Sequence, residues 1–526
     1  MRNRLRRYER HLIAAAIVAA FAVLVSWWSG RESVTAVADD AAPKPLYDKH
    51  AQVDPVATNG PIFVDWPKPD VALVFSGEQD GYLEPCGCAG LQNQKGGLKR
   101  RHKLLKQLAA KGWPVVPLDV GGLSKRFGIQ TELKFDYILK GLAQLGYQAV
   151  GFGSNDLRLD ILSLVLNSTD AKDLFVSANV GILDFDPEYS QRFKVIEAGG
   201  MKIGVTGVMG AKEISALKNS DDLTLLDPVE ALQQVLPELQ EAGCDKIVLL
   251  SFAEPDETKA IAQRFLEFDF VVTAGGAEEP AKDPAPIDGT KAQLIEVGHK
   301  GMYVIVVGLY KDGEPSVRYQ KVPLDSRFED SPEMQELMVD YQGDLKTLGL
   351  EGLGLKPTAH PTARQFAGSE ACADCHTTAY EIYENTPHAH ATQTLVDLVP
   401  PRHFDPECLS CHVTGWEPQR YFPFISGYLS LDETPEMVGN GCENCHGPAA
   451  RHVAAELGNI EVDDAEMEDL RAALHLEIVP NEGNKDGQEF DKGKVVRMCM
   501  QCHDLDNSPE FDFQLYWPHV KHEGKD

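Results

Sequence analysis

Between residues 70 and 325 the chain alternates short apolar, β-branched runs with longer stretches of helical periodicity. The runs at 71–75, 115–120, 149–152, 203–208, 247–251, 270–273 and 303–309 predict buried strands. Stretches such as 98–110 and 228–242 predict helices between them, and the alternation predicts an α/β domain over 70–325. Ser331-Pro332, followed by Glu333 and Glu336, has the composition of a capped helix start, and that helix is expected to run to about residue 348. Gly and Pro then punctuate 349–364, so 326–365 reads as a helix and a linker. From 366 to 526 the strand signal fades, which predicts a second, mostly α and loop-rich domain.

The first residues follow a different pattern. Arg2, Arg4, Arg6, Arg7 and Arg10 precede an apolar run over 12–28, about as short as a spanning helix can be and long for a cleaved signal. The basic flank stays cytoplasmic under the positive-inside rule and sends the rest of the chain outward. Ala36-Val37-Ala38 is a small-residue cleavage site. Residues 1–38 are therefore a signal anchor, here favoured, or a signal peptide, and both give a periplasmic, extracytoplasmic location. Residues 39–69, rich in Ala, Pro and Asp and without periodicity, predict a flexible tether.

A length of 526 residues fits about two to four domains, and 43% hydrophobic residues is ordinary for a globular chain. The formal net charge of −30 argues against nucleic acid or an anionic membrane surface as partner. Roughly 30 acidic against about 10 basic residues lie between 366 and 526. An acidic surface of this kind docks onto a basic patch, or serves only to keep a secreted protein soluble.

Eight of the 11 cysteines fall in four copies of one pentapeptide, C-x-x-C-H. Cys372 and Cys375 precede His376, Cys408 and Cys411 precede His412, Cys442 and Cys445 precede His446, and Cys499 and Cys502 precede His503. This spacing attaches a c-type haem: two thiols form thioethers with one porphyrin, and the adjacent His is held beneath the iron. Structural zinc would pair thiolates across two C-x-x-C units, and neither zinc nor a disulfide framework explains a His after every pair. Four c-type haems are expected, in a protein that handles electrons. A region of this size cannot fill four haem pockets and also build a large apolar core, so the porphyrins are expected to be its core. Its spare histidines are His388, His390, His403, His452, His475, His519 and His522. Two axial imidazoles suit an iron to electron transfer, whereas an open position permits ligand binding.

The string from Phe366 onward resembles the tetrahaem cytochrome c family of the five-fifty-four type, whose type member accepts electrons from hydroxylamine oxidoreductase. Gly368-Ser369-Glu370, Pro387-His388-Ala389-His390, His412 to Trp416, Gly441 to Pro448 and Tyr516-Trp517-Pro518 carry the resemblance. It implies that His388, or its close rival His390, reaches the third haem. It implies His452 on the first haem and His522, ahead of His519, on the fourth, and it leaves the iron on His412 five-coordinate. His403 and His475 are expected to be surface residues.

Residues 70–325 resemble the calcineurin-like metallophosphoesterases, their 5′-nucleotidase branch above all, and so imply an α/β sandwich. Such enzymes hold two metal ions with Asp, His and Asn at strand ends. The departures are severe. Asp-x-His-Gly is replaced by Glu78-Gln79-Asp80-Gly81, Gly-Asp by Gly121-Gly122, and Gly-Asn-His-Glu by Gly153-Ser154-Asn155-Asp156. The late Gly-His-x-His is replaced around Gly275-Gly276-Ala277-Glu278, and the His expected after Leu249-Leu250 is absent. With most ligands lost, a non-catalytic scaffold or recognition domain is expected, Glu78, Asp80 and Asp156 being the only carboxylates left for a hard cation. Cys86, Cys88 and Cys244 stand outside every motif; a redox or metal role and a disulfide are both open to them.

The expectation is an extracytoplasmic electron-transfer protein, served by redox partners with a basic docking patch, rather than an enzyme. Two alternatives accompany it. One is a haem enzyme acting on small nitrogen or sulfur species at an open second haem, the other a periplasmic phosphohydrolase with an accessory cytochrome.

Overall fold

A computed structural model describes residues 54–85, 94–161, 173–217, 222–328, 331–476, 494–508, 511–522 and 524. The apolar run 12–28, Cys86 and Cys88 lie outside the described residues. All seven predicted strands are present, within a fuller set: β1 (Val71–Ser76), β2 (Val115–Asp119), β3 (Ala149–Val150), β4 (Val180–Ile182), β5 (Phe193–Ala198), β6 (Met201–Met209), β7 (Leu223–Leu225), β8 (Lys246–Phe252), β9 (Phe270–Thr273), β10 (Ala285–Pro286), β11 (Gln293–Glu296), β12 (Tyr303–Leu309) and β13 (Val317–Pro323).

Two sheets form, in the orders β13-β12-β1-β2-β3 and β10-β11-β9-β8-β6-β5. In the first, β1, β2 and β3 run parallel while β12 and β13 are antiparallel to their neighbours. Alternate residues of β1 explain why its run is apolar throughout. Val71, Leu73 and Phe75 face the second sheet, where they meet residues such as Val205, Leu250 and Val272. Ala72 and Val74 face helices α1 (Leu98–Ala110) and α2 (Ile129–Gln144) on the outer side. Helices α3 (Pro228–Glu241) and α4 (Pro255–Ala262) cover the far face of the second sheet through Leu232, Leu239 and Ile261. The result is a four-layer α/β/β/α sandwich, as strands buried on both faces require. The strands that no apolar run announced include the edges β5 and β13, whose half-exposed residues carry Lys, Glu, Arg and Gln.

Helix α5 (Pro332–Gly352) starts at Ser331, whose hydroxyl accepts the Met334 N–H, and its helical geometry breaks at Gly349, φ 58°. It packs against α1 and α2 through Met334, Leu337, Tyr341 and Leu345. The stretch after it is less of a free linker than its Gly and Pro suggest. Leu350 and Leu355 pack on the next domain, and Thr358 bonds to Pro423 and Ile425.

The expected tether is corrected for its described part, 54–69. Phe63 and Trp66 pack edge to face at 5.2 Å, Trp66 stacks on Trp113 at 6.0 Å, and Tyr310 donates to the Pro67 carbonyl. Aromatic burial at the sheet edge fixes a segment that has no periodicity to reveal it.

Among its described residues the C-terminal domain has short helices, two small strands and one modest apolar cluster around Leu409, Val413, Trp416, Phe424 and Tyr428. Among the described residues after Gly441, few apolar side chains are buried.

Candidate haem centre

Each C-x-x-C-H occupies about one helical turn. The His376 N–H bonds the Cys372 carbonyl at 2.9 Å and the His503 N–H bonds that of Cys499 at 2.9 Å. The second and third motifs lie in the helices Pro406–His412 and Cys442–His446. Thiols at i and i+3 and an imidazole at i+4 then share one face, as attachment to one porphyrin needs.

The turns are gathered by contacts between them. The Cys372 and Cys442 thiols hydrogen-bond to each other, as do those of Cys411 and Cys502. Cys445 and Cys499 lie close enough to act on one another electrostatically. In space the motifs therefore follow the order first, third, fourth, second. In a c-type cytochrome these sulfurs would be thioethers.

Second partners orient the imidazoles. His412 Nδ1 donates to the Ala391 carbonyl at 2.8 Å, and His446 Nδ1 to that of Leu474 at 2.8 Å. His522 Nδ1 donates to Val520 at 3.0 Å, and His503 Nδ1 meets the Ser508 hydroxyl at 3.1 Å. A carbonyl accepts only, so Nδ1 carries the proton and the Nε2 lone pair remains for a metal. Burial lowers the pKa of His388 and His446 and takes that of His503 down to about 4, which keeps the rings neutral.

Two ring pairs test the fit to haem iron. His446 and His522 have centroids 5.8 Å apart, and His388 and His503 have centroids 6.1 Å apart. Two imidazoles that each hold one metal at roughly 2 Å from nitrogen need ring centres about 6 Å apart. Both pairs fit. His452, on the helix Ala450–Glu456, lies near His376.

The other two histidines lie against other motifs than the resemblance implies. His388 meets the fourth motif and His522 the third, the reverse of the expected assignment. The helix Ala391–Val396 explains it: Thr392 Oγ1 donates to the His412 carbonyl at 2.6 Å, which draws the segment after the first motif to the second and fourth. His390 is exposed at the start of that helix. His403 meets the Phe404 ring at a tilt, centroids 3.8 Å apart, His475 lies near His446, and His519 ends the turn Trp517–His519.

Residues inside the third motif do work that the pentapeptide does not announce. The buried Glu443 carboxylate accepts N–H groups from Ala367, Gly368 and Ala449 at 2.7–3.0 Å. Asn444 bridges to the second motif, donating to Val413 at 2.8 Å and accepting from Gly415 at 3.0 Å. These two x positions tie three motifs together.

The ends of β1, β2 and β3 make the place where a phosphoesterase would hold metals. Asp156 is fully buried and accepts N–H groups from Gly122, Leu123, Ser124 and Gly153 and the Ser124 hydroxyl, all at 2.8–3.1 Å. A Cβ on Gly153 would lie 2.5 Å from Gly122 N, so the loops meet backbone to backbone. Beside them Arg101, fully buried, donates to Gln79, Ser76 and Tyr147 and lies 3.9 Å from Asp119. A guanidinium and backbone amides thus satisfy the carboxylates that metals would otherwise bind. Among the described residues no cluster of His, Cys, Asp or Glu is arranged to hold a metal ion. The residues present do not fit a di-metal centre, and Asp156 is withdrawn from the expected carboxylate set.

Glu78 and Asp80 remain, with a neighbour the sequence did not single out. His299 Nδ1 lies 3.5 Å from Glu78 and 4.0 Å from Asp80, and Gly275 N–H donates to Glu78 at 2.9 Å. Burial raises both carboxyls, Glu78 to about 7. Cys244 is a half-buried free thiol.

Residues 371–447 match the family model described as Cytochrome c554 and c-prime. Cytochrome c-554 of Nitrosomonas europaea is 31% identical over 96 residues, covering 16% of this chain and 38% of that protein. Snake venom 5'-nucleotidase of Gloydius brevicauda is 28% identical over 191 residues, covering 35% of this chain and 32% of that protein. Among solved structures, a 5'-nucleotidase precursor from Thermus thermophilus aligns with TM-score 0.45 and 19% identity over 53% of this chain and 59% of that one. The chain thus spans well under half the length of either of these curated relatives. The family match supports a c-type haem electron-transfer role for the C-terminal part. This chain joins an α/β part similar to 5'-nucleotidases to a C-terminal part similar to the cytochrome c554 and c-prime family.

Proposed function

We propose that the chain is an extracytoplasmic electron-transfer protein that carries four c-type haems, one on each C-x-x-C-H motif. His376 and His452 would hold the first iron, His446 and His522 the third, and His503 and His388 the fourth, with His412 beneath the second. The attachment cysteines are Cys372, Cys375, Cys408, Cys411, Cys442, Cys445, Cys499 and Cys502.

The observation that carries this reading is the pair of imidazole spacings, 5.8 and 6.1 Å, each between a motif histidine and one from a distant segment. A bound haem supplies a one-electron couple tuned by its axial ligands and surroundings. The chain's part is to space and orient the sites. Its order of motifs, first–third–fourth–second, supports electron passage along that row. The α/β domain would act as scaffold rather than hydrolase, since backbone amides satisfy the buried Asp156 carboxylate and Arg101 lies by that of Asp119. The Arg-rich start and the apolar run 12–28 support export, with an anchor in the cytoplasmic membrane. The acidic C-terminal region supports redox partners that dock through a basic patch.

Mass spectrometry and pyridine haemochrome analysis of the exported protein should give four haems per chain. A redox titration followed by electron paramagnetic resonance should show bis-imidazole low-spin signals. A chain with fewer haems, or with no signals of that type, would refute the reading.

A further inference from the structure

The second attachment motif is gripped by the α/β domain. Glu407, the residue before Cys408, receives Lys134 Nζ at 2.5 Å and Arg126 Nη1 at 3.2 Å. Lys134 comes from α2 and Arg126 from the loop that enters it. The Arg126 guanidinium also lies 4.1 Å from the Tyr421 ring centre and is near enough to Cys411 to act on it electrostatically. Asp405 caps the motif's helix, and its carboxylate accepts Gln130 Nε2 at 2.7 Å and Gln342 Nε2 at 3.0 Å. Upstream, Arg402 pairs with Glu84, which also holds Lys99. The side chains of Lys134 and Glu407 are only 14% and 22% exposed, so solvent screens this charge less than it would a surface pair.

Lys125, next to Arg126 in the chain, and Lys300, just before β12, pair with Asp506 beyond the fourth motif at 3.7 and 2.5 Å. Cations of the α/β domain thus meet carboxylates just before the second motif's cysteines and just beyond the fourth motif. Arg126 and Lys134 act on the carboxylate of the residue that immediately precedes Cys408.

We propose that the α/β domain is a built-in electrostatic partner of the second haem, Arg126 and Lys134 being positioning residues that neutralise Glu407 and hold that haem's reduction potential up. The inference rests on the four-haem reading. Reduction adds one electron to the ferric iron, delivered by a neighbouring ferrous haem, and no bond forms or breaks. An unpaired carboxylate next to an attachment cysteine would oppose the added negative charge of a haem held there, and two cations on that carboxylate would remove the opposition.

The test is spectroelectrochemical titration of the full haem-loaded chain carrying Arg126→Gln and Lys134→Gln together. The second haem's midpoint is identified as the one lost in a Cys408→Ala, Cys411→Ala variant. In the double variant that midpoint should shift to lower potential while the others stay in place, and Lys134→Arg alone should leave it unchanged. Lys291→Gln removes a cation paired with Asp269 on the second sheet and should shift nothing. Four bound haems with an unmoved second midpoint would overturn the inference, as would an equal shift from Lys291→Gln. A parent chain that binds fewer than four haems would instead defeat the reading beneath it. If the double variant does not fold, Lys134→Gln alone leaves Arg126 on Glu407 and should give a smaller shift of the same sign; no shift there overturns the inference too.

Discussion

The ring of His388 lies 6.1 Å from that of His503, which brings the histidine after the first motif onto the fourth. The backbone holds it there: the Asn440 N–H donates to the His388 carbonyl at 2.9 Å, just before the third motif begins. His522 correspondingly lies 5.8 Å from His446. Each imidazole thus reaches across the domain rather than to the nearest motif in sequence.

Removing His388 should convert one low-spin iron to a high-spin or water-ligated one. The paramagnetic resonance signal lost in His388→Ala should be the signal lost when Cys499 and Cys502 are both changed to Ala. If it matches instead the signal lost with Cys442 and Cys445, His388 serves the third haem and the exchanged pairing is wrong.

The part of the site that reads from sequence is the part contained in one helical turn. Cys-x-x-Cys-His fixes its geometry locally, so all four motifs are legible. Which distant imidazole comes to lie by a motif histidine is set by packing, here by the Thr392–His412 bond, and spacing along the chain carries no trace of it. The same holds for His299, brought beside Glu78 only by the folding of the two sheets. Central strands announced themselves because both faces are buried, whereas β5 and β13 are edges with one wet face. The segment 54–69 misled because Phe63 and Trp66 dock without any period.

Glu78 should make stability fall as pH rises. Burial raises its carboxyl to about 7 from 4.5, although His299 and the Gly275 N–H pull it back. Between those values the folded chain keeps a proton that the unfolded chain has released. The contribution is therefore full below the unfolded value and is lost as pH rises through the folded one. Glu78→Gln cannot ionise and should flatten this slope. At pH 8 it should be about 1–2 kcal/mol more stable than the parent, and no more stable at pH 4. Urea unfolding at both pH values measures this, and equal pH dependence in the two proteins would count against it.

Asp156 should prove structural. Its five donors would be left inside a closed loop contact if the carboxylate were removed. Asp156→Ala should cost about 3 kcal/mol. Added manganese should leave the melting temperature of the parent unchanged, because amides already fill the carboxylate's bonding capacity. Stabilisation of the parent by manganese, abolished in Asp156→Ala, would restore a metal role.

Glu443 should decide whether the first and third motifs assemble together. Its carboxylate takes three backbone N–H groups, two from the strand of chain leading into the first motif and one from the residue that follows Cys-His-Gly-Pro. Burial works against the charge and those donors favour it. Glu443→Gln replaces one acceptor oxygen with an NH2 group that must face an N–H, leaving a buried donor unmet at a cost of about 2 kcal/mol. The loss falls where the two motifs join, since Cys442 N–H also bonds Ser369 beside Cys372 at 3.1 Å. The variant should therefore accumulate with fewer haems, those of the first and third motifs being depleted, while Glu433→Gln on the exposed Ser430 loop should load fully. Peptide mapping of haem-bearing fragments separates the motifs. Uniform depletion across all four would mean that Glu443 supports the domain as a whole and does not couple these two sites.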